Sequence, residues 1–277
     1  MALYYREESP ERSAQAFRFF GSPAGMSFPP FGHGCAILPA SFRMEVIMEI
    51  DEMKKQLCKV CHMMGENGWG ASNDGNVSVR LGEGRFLATP TGVSKKLMEP
   101  EMLVVIDEKG DIVEAFGGYR PSSEIKMHLR CYAERPDVGA VVHSHPPSAT
   151  AYAAAGVPLA DDALIEAFIN LGEVPVAPYA APSTEEVPDS IAPLLKDHDA
   201  VLLANHGALT VGVDLMHAYF AMETLEHWAQ ISLNAKLLGG AKPIPQERLD
   251  QLYRLRNQYY HCTGRHPYDT SRPDLQK

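Results

Sequence analysis

The chain is 277 residues long, enough to bury a substantial core in one large domain or two small ones. It is 45% hydrophobic and 22% charged, and its formal charge of -10 without a basic stripe excludes a general nucleic-acid binder. No apolar run is long enough to span a bilayer, and Met1–Glu8 lacks a basic region followed by an apolar core, so a cytoplasmic protein without membrane attachment is expected.

Residues 1–43 are rich in Pro, Gly, Ser, Phe and Arg and show neither a helical nor a strand period. They are expected to form a poorly ordered extension, ahead of a folded domain over 44–260 and a tail over 261–277. Met44, Met48 and Met53 each offer an alternative start just before the first periodic segment. From about 45 to 66, Ile47, Ile50, Met53, Leu57, Val60, Cys61 and Met64 recur at helical spacing, and Gly65 and Gly68 end the run. Short strands are predicted at 76–81, 85–89, 102–106 and 111–115, separated by glycine turns. A helix over 123–134 opens with Ser122 or Ser123 as N-cap, followed by a strand at 138–144 and an alanine-rich helix at 147–155.

Pro175, Pro178 and Pro182 punctuate an irregular stretch. A helix over 184–196 then leads to strands at 200–204 and 207–212. Asp214 caps a long helix over 215–238 that Gly239 and Gly240 close, a last helix covers 246–260, and the tail reads as loop. Tight turns between strands with helices interspersed indicate an α/β protein with a mainly antiparallel or mixed sheet and helices on its faces.

Five cysteines (Cys35, Cys58, Cys61, Cys131 and Cys262) are odd in number and irregular in spacing, which favours reduced thiols. Cys58-Lys59-Val60-Cys61-His62 matches the C-x-x-C-H haem-attachment pattern, but it lies within the first helix. Buried helix cysteines are the expectation there.

Metal chemistry is indicated by Val141-Val142-His143-Ser144-His145-Pro146. Alternate strand side chains share a face, so His143 and His145 project together, and Pro146 and Pro147 place them at a strand end. His206, in Asn205-His206-Gly207, also comes after an apolar strand. Glu124 stands at a helix start, where a carboxylate is favoured by the helix dipole even without a ligand role. Three imidazoles and a carboxylate suit a zinc-like divalent ion with room for a substrate. Gly75-Asn76-Val77-Ser78, Thr89-Pro90-Thr91-Gly92 and Ser122-Ser123 are small-residue turns or caps that could also hold an anion through backbone N–H groups and hydroxyls. The remaining histidines (62, 128, 198, 217, 227, 261, 266) show no partner spacing and read as surface or packing residues.

These segments, in this order and spacing, resemble the class II aldolase/adducin family over about residues 48–240. The resemblance implies a three-layer α/β/α domain around a mainly antiparallel sheet, in a homotetramer with active sites between subunits. It implies Zn2+ held by His143, His145, His206 and Glu124, with Glu124 doubling as the catalytic acid/base. Gly75, Asn76, Thr91, Gly92, Ser122 and Ser123 match the family's phosphate-binding positions. The implied activity is reversible cleavage of a ketose 1-phosphate, L-fuculose 1-phosphate or similar, to dihydroxyacetone phosphate and an aldehyde. Pentulose-phosphate 4-epimerase, 5-deoxypentulose-phosphate aldolase and methylthioribulose-phosphate dehydratase chemistries share these motifs, and a non-catalytic adducin-like module shares the fold. Glu124, where the epimerase branch carries aspartate, favours the aldolase. One departure stands out: Leu164-Ile165-Glu166-Ala167-Phe168 lacks the tyrosine that serves the aldehyde oxygen in the family. Glu166, Tyr259 and Tyr260 are the candidates to replace it.

Overall fold

The computed structural model describes residues 40–260, 262–271 and 273. The chain divides into two compact units, Met1–Arg43 and Met44–Lys277, and the sheet lies in the second. The extension expected over 1–43 lies, up to residue 39, outside the described residues.

Eight strands form one sheet in the order β4-β3-β2-β1-β5-β8-β7-β6. They are β1 (Asn76–Gly82), β2 (Arg85–Ala88), β3 (Val104–Asp107), β4 (Ile112–Glu114), β5 (Ala140–Ser144), β6 (Val176–Ala177), β7 (Ala200–Leu203) and β8 (Gly207–Gly212). Every pairing is antiparallel except β6 with β7, which agrees with the mainly antiparallel sheet read from the sequence. Tight connections account for β1–β2, β3–β4 and β7–β8, because hairpins make antiparallel neighbours, whereas β5 reaches β1 and β8 through long connections.

Helices pack on both faces. Val77, Val79, Leu87, Val105, Ala140 and Val142 meet α1 (Ala40–Glu66), α3 (Pro147–Ala155) and α6 (Leu215–Leu237) in one core. The alternate residues Phe86, Ala88, Val104, Ile106, Val141 and Val211 meet α2 (Ile125–Glu134) and α5 (Glu186–Ile191) in the other. Period-two alternation thus feeds two cores from the same strands. Cys58 and Cys61 lie within the first core and Cys131 within the second, so packing is the role of the Cys58-x-x-Cys61 pair. Burial pushes all three thiols up to about 12. No described helix is long and apolar enough to cross a membrane.

The elements depart from the sequence reading at identifiable places. The helix expected over 184–196 is broken into α5 and a 3-10 turn at Leu194–Lys196: Pro188 is tolerated in the first turn of α5, whereas Pro193 supplies no backbone N–H to carry the helix on. α4 (Ile165–Asn170) and β6 occupy the stretch read as irregular, and at six and two residues they are too short to show a period. α7 (Gln246–Gln258) ends before Tyr259, and the tail read as loop contains α8 (Tyr268–Ser271). Asp214 caps α6 as expected, accepting from His217 N–H at 2.9 Å. Neither Ser122 nor Ser123 is the N-cap of α2. That position falls to Glu124, whose own N–H bonds Ser122 Oγ at 3.3 Å, leaving its carboxylate free to turn elsewhere.

Candidate metal centre

β5 lies at the middle of the sheet, with Asn76 of β1 opposite His143 on one side and Leu209 of β8 on the other. This double pairing leaves His143 fully buried and its direction fixed. One pleat further on, His145 leaves the strand, its N–H bonded to Trp69 O at 2.8 Å. Pro146 and Pro147 then open α3, whose first free N–H groups, at Ser148 and Ala149, are taken by the Glu226 carboxylate of α6 at 3.0 and 2.8 Å. The chain on both sides of His145 is therefore anchored. His206 enters from the turn between β7 and β8. Gly207 comes next because a Cβ there would lie 2.6 Å from His145 Cδ2 and 2.6 Å from the Ser144 carbonyl oxygen.

The alternation read from the sequence thus brings His143 and His145 together, and the turn adds His206. Ligand nitrogens of the three rings lie within 4.8 Å of one another. Glu124 completes the cluster, its Oε2 3.3 Å from His143 Nε2 and its Oε1 3.3 Å from His206 Nε2.

Proton positions test whether these residues suit a cation. His143 Nδ1 lies 2.9 Å from the Ala208 carbonyl oxygen, a pure acceptor, so Nδ1 carries a proton and Nε2 is the nitrogen turned into the cluster. That nitrogen faces Glu124 Oε2 and, at 3.2 Å, His145 Nε2. Glu124 Oε1 is buried without a hydrogen bond. A carboxylate and imidazole nitrogens converging in a buried place call for a shared positive charge, and a divalent ion supplies one. The Ala208 carbonyl behind His143 is the kind of outer partner that orients a metal-binding imidazole.

Electrostatics point the same way. Burial would raise the Glu124 carboxyl, but the histidines beside it, His143 before His206, and the Asn76 amide outweigh this and hold it well below the usual range. Burial, reinforced by the neighbouring histidines, lowers His145 to about 4 and also lowers His206. An ionised carboxylate beside imidazoles that shed their protons readily, as His145 and His206 do, is the donor state a divalent metal requires.

The small-residue segments gather beside this cluster. Thr89-Pro90-Thr91 pairs with Arg120-Pro121-Ser122: Thr91 N–H bonds Arg120 O at 3.0 Å and Ser122 N–H bonds Thr89 O at 3.2 Å. Asn76 donates from Nδ2 to Glu124 Oε2 at 3.0 Å and to Ser122 Oγ at 3.2 Å. Thr91, Gly92 and Ser123 are exposed or half-exposed, Gly75 and Ser122 are half-buried, and Asn76 is buried. Glu166, by contrast, is exposed on α4, and Tyr259 and Tyr260 are exposed beyond α7.

Two participants were missed in the sequence. Asp74 lies 3.4 Å from His145 Nδ1, a contact made by the turn ahead of β1 with no signal in the local pattern. His128, read as a surface or packing residue, is buried with both nitrogens engaged, by Asn76 Oδ1 and Ser78 Oγ. A signal was present, since residues four apart at the start of a helix share a face and Glu124 and His128 have that spacing.

The family model described as Class II Aldolase and Adducin N-terminal domain matches residues 55–233. The L-fuculose phosphate aldolase of Escherichia coli O157:H7 is 34% identical over 198 residues, covering 72% of this chain and 89% of the relative. At 32% identity over 184 residues, covering 65% and 85%, stands the 3-oxo-tetronate 4-phosphate decarboxylase of Escherichia coli O6:H1. A solved L-fuculose 1-phosphate aldolase superposes with a TM-score of 0.67 at 31% identity, covering 73% of this chain and 94% of that one.

Proposed function

Because the chain belongs to the class II aldolase and adducin family, we propose that it is a zinc-dependent aldolase of a ketose 1-phosphate, L-fuculose 1-phosphate or a close relative. The observation that carries this reading is the convergence of His143, His145 and His206 on the Glu124 carboxylate, whose Oε1 is buried without a hydrogen bond, beside loops able to hold a phosphate. Zinc held by His143, His145, His206 and Glu124 would supply Lewis-acid stabilisation of the negative charge that develops on substrate oxygens.

The chain's own groups do the rest. Gly75, Asn76, Thr91, Gly92, Ser122 and Ser123 hold the phosphate through N–H and hydroxyl donors and so place the sugar against the cluster. Cleavage breaks the C3–C4 bond. The hydroxyl at C4 loses its proton and becomes the aldehyde, while C3 keeps the electron pair. Glu124, ionised at rest, takes up a proton from solvent and passes it to C3 to give dihydroxyacetone phosphate, and in condensation it removes that proton. A homotetramer of three-layer α/β/α subunits, with sites between them, would let an exposed Glu166, Tyr259 or Tyr260 of a neighbour serve the C4 oxygen.

The test is a coupled assay for dihydroxyacetone phosphate over a panel of 1-phosphates: L-fuculose, 5-deoxypentulose and methylthioribulose, with metal content measured on the same sample. Release from one of them, abolished by chelation and restored by Zn2+, is expected. Chelation-insensitive release sinks the metal role. Carbon dioxide from a 3-oxo-acid phosphate without any ketose cleavage moves the protein to the decarboxylase reading.

A further inference from the structure

Next to Glu124 begins a file of buried polar groups of which the aldolase reading uses only the first, Asn76. Asn76, Ser78, His128 and Tyr132 are each no more than 5% exposed. Asn76 Oδ1 lies 2.5 Å from His128 Nε2, His128 Nδ1 2.7 Å from Ser78 Oγ, and Ser78 Oγ 2.8 Å from the Tyr132 hydroxyl. β1 carries Asn76 and Ser78 two residues apart on one face, and α2 carries His128 and Tyr132 four apart on the face that meets it.

Only one proton arrangement satisfies every member. Asn76 turns its NH2 toward Glu124 Oε2 and Ser122 Oγ, and its carbonyl toward His128. That carbonyl needs a donor, so His128 carries its proton on Nε2. Burial, then the charge of His143, lowers His128 to about 3, so the ring is neutral and its Nδ1 bare. Ser78 must therefore spend its one hydroxyl proton on Nδ1, and Tyr132 must donate to Ser78. Reversing any link would set two acceptors against each other in a dry place, which costs about 1–3 kcal/mol.

We propose that His128 is a positioning residue: polarised from behind by Ser78 and Tyr132, it locks the Asn76 amide so that its NH2 holds Glu124 and Ser122 in place. The inference rests on the reading of Glu124 as metal ligand and proton carrier. His128 touches neither substrate nor metal and acts only through Asn76. A packing histidine would need no directed donor at Nε2, whereas this one loses its function when that donor is lost and regains it when an amide donor stands at the same point.

The test uses the full-length protein and begins without metal. Long-range 1H–15N NMR of the histidine rings is expected to show His128 neutral with its proton on Nε2; a proton on Nδ1 overturns the proposal. Zn2+ affinity is then read by chelator competition for His128→Leu and His128→Gln. Loss of an outer-shell partner costs about 10–100-fold, so His128→Leu should bind about tenfold more weakly and His128→Gln should recover most of the loss. Equal affinity in His128→Leu and wild type at matched melting temperature overturns it. If His128→Leu does not fold, Tyr132→Phe takes its place, since it keeps the ring stacked on Phe86 and removes only the last donor. A fall in affinity of about twofold to threefold is expected there, and none at all overturns the relay. Where a 1-phosphate is cleaved, kcat should follow the same order with KM nearly constant. If wild type binds Zn2+ and cleaves nothing, the aldolase reading fails while the tautomer and affinity results still decide this one.

Discussion

The three histidines at the strand ends and the two buried histidines at 128 and 266 are chemically the same residue in opposite situations. His266 receives the Tyr268 N–H at Nδ1 and donates from Nε2 to Phe168 O at 2.7 Å. His128 donates to one amide oxygen and accepts one hydroxyl proton. Each is complete as a neutral ring, with protein on both nitrogens. His143 is tied to the backbone at one nitrogen, and its other nitrogen lies between the Glu124 carboxylate and His145 Nε2. Burial alone therefore does not mark a ligand, since His128 and His143 are equally hidden. What marks it is a buried nitrogen turned toward a carboxylate and other imidazoles at once.

The contrast is broken most severely by removing the acceptor that defines it. Glu124→Gln places a donor among the cluster nitrogens and takes away both the charge and the proton carrier. Loss of acid/base catalysis alone costs about 100-fold or more, so kcat should fall at least that far and Zn2+ affinity should fall with it, while the fold is retained. Dihydroxyacetone phosphate release and equilibrium metal binding on one preparation check this. Full activity in the variant would refute the role assigned to Glu124.

Gly207→Ala strains the same cluster without replacing a ligand. The new Cβ would press on His145 Cδ2 and the Ser144 carbonyl oxygen, and one of these must shift. Overpacking of this kind costs about 1–3 kcal/mol. We expect about a tenfold loss of Zn2+ affinity and a lower melting temperature. A variant that binds zinc like wild type would show that the turn carrying His206 can relax independently of β5.

How much of the molecule was legible beforehand depends on the range over which each signal acts. The pair at 143 and 145 was readable because a strand has period two, and His206 because it ends a strand in the same way. The sheet's antiparallel character was readable from its short glycine turns. Glu124 facing His143 and His206 was not, because capping a helix and facing a metal ask for the same residue at the same place. Only the pairing of β1 with β5 and the turn of its side chain away from the helix N–H groups decide between them. His128 was missed because its partners arrive from another strand. Asp74 and the break at Pro193 after α5 show the two other limits, a contact made only in three dimensions and a periodic run that a proline ends.

The completed histidines predict an acid dependence that the cluster histidines do not need. Burial lowers His266 to about 4, against an ordinary value near 6.5. Below about pH 6.5 the unfolded chain therefore binds a proton that the folded chain refuses. Stability falls as pH drops from about 6.5 to about 4, and this group adds nothing further below that. The loss is of the order of 3 kcal/mol, because protonating Nδ1 would set it against the Tyr268 N–H. Denaturant titrations of metal-free protein at pH 7 and pH 4 should show a smaller difference in His266→Gln than in wild type, even though the variant is less stable at pH 7. Equal differences would mean that His266 opens to solvent before it titrates.

The smallest effect belongs to the loop side of the site, where holding a phosphate asks for backbone shape rather than for completed rings. Gly92 has φ of 74°, and a Cβ there would meet nothing within 4 Å. Gly92→Ala thus adds left-handed backbone strain of about 1 kcal/mol and no collision, the reverse of Gly207→Ala. Its N–H survives, so a phosphate donor is tilted rather than lost. KM for a cleaved 1-phosphate should rise by less than about tenfold, the equivalent of that strain, with kcat and Zn2+ affinity unchanged. Competition by inorganic phosphate in the two glycine variants separates the halves of the site: Gly92→Ala should weaken it, and Gly207→Ala should leave it alone while metal binding suffers. A drop in metal affinity from Gly92→Ala would instead mean that the strand pairing between Thr91 and Arg120 transmits the strain through Ser122 to Glu124.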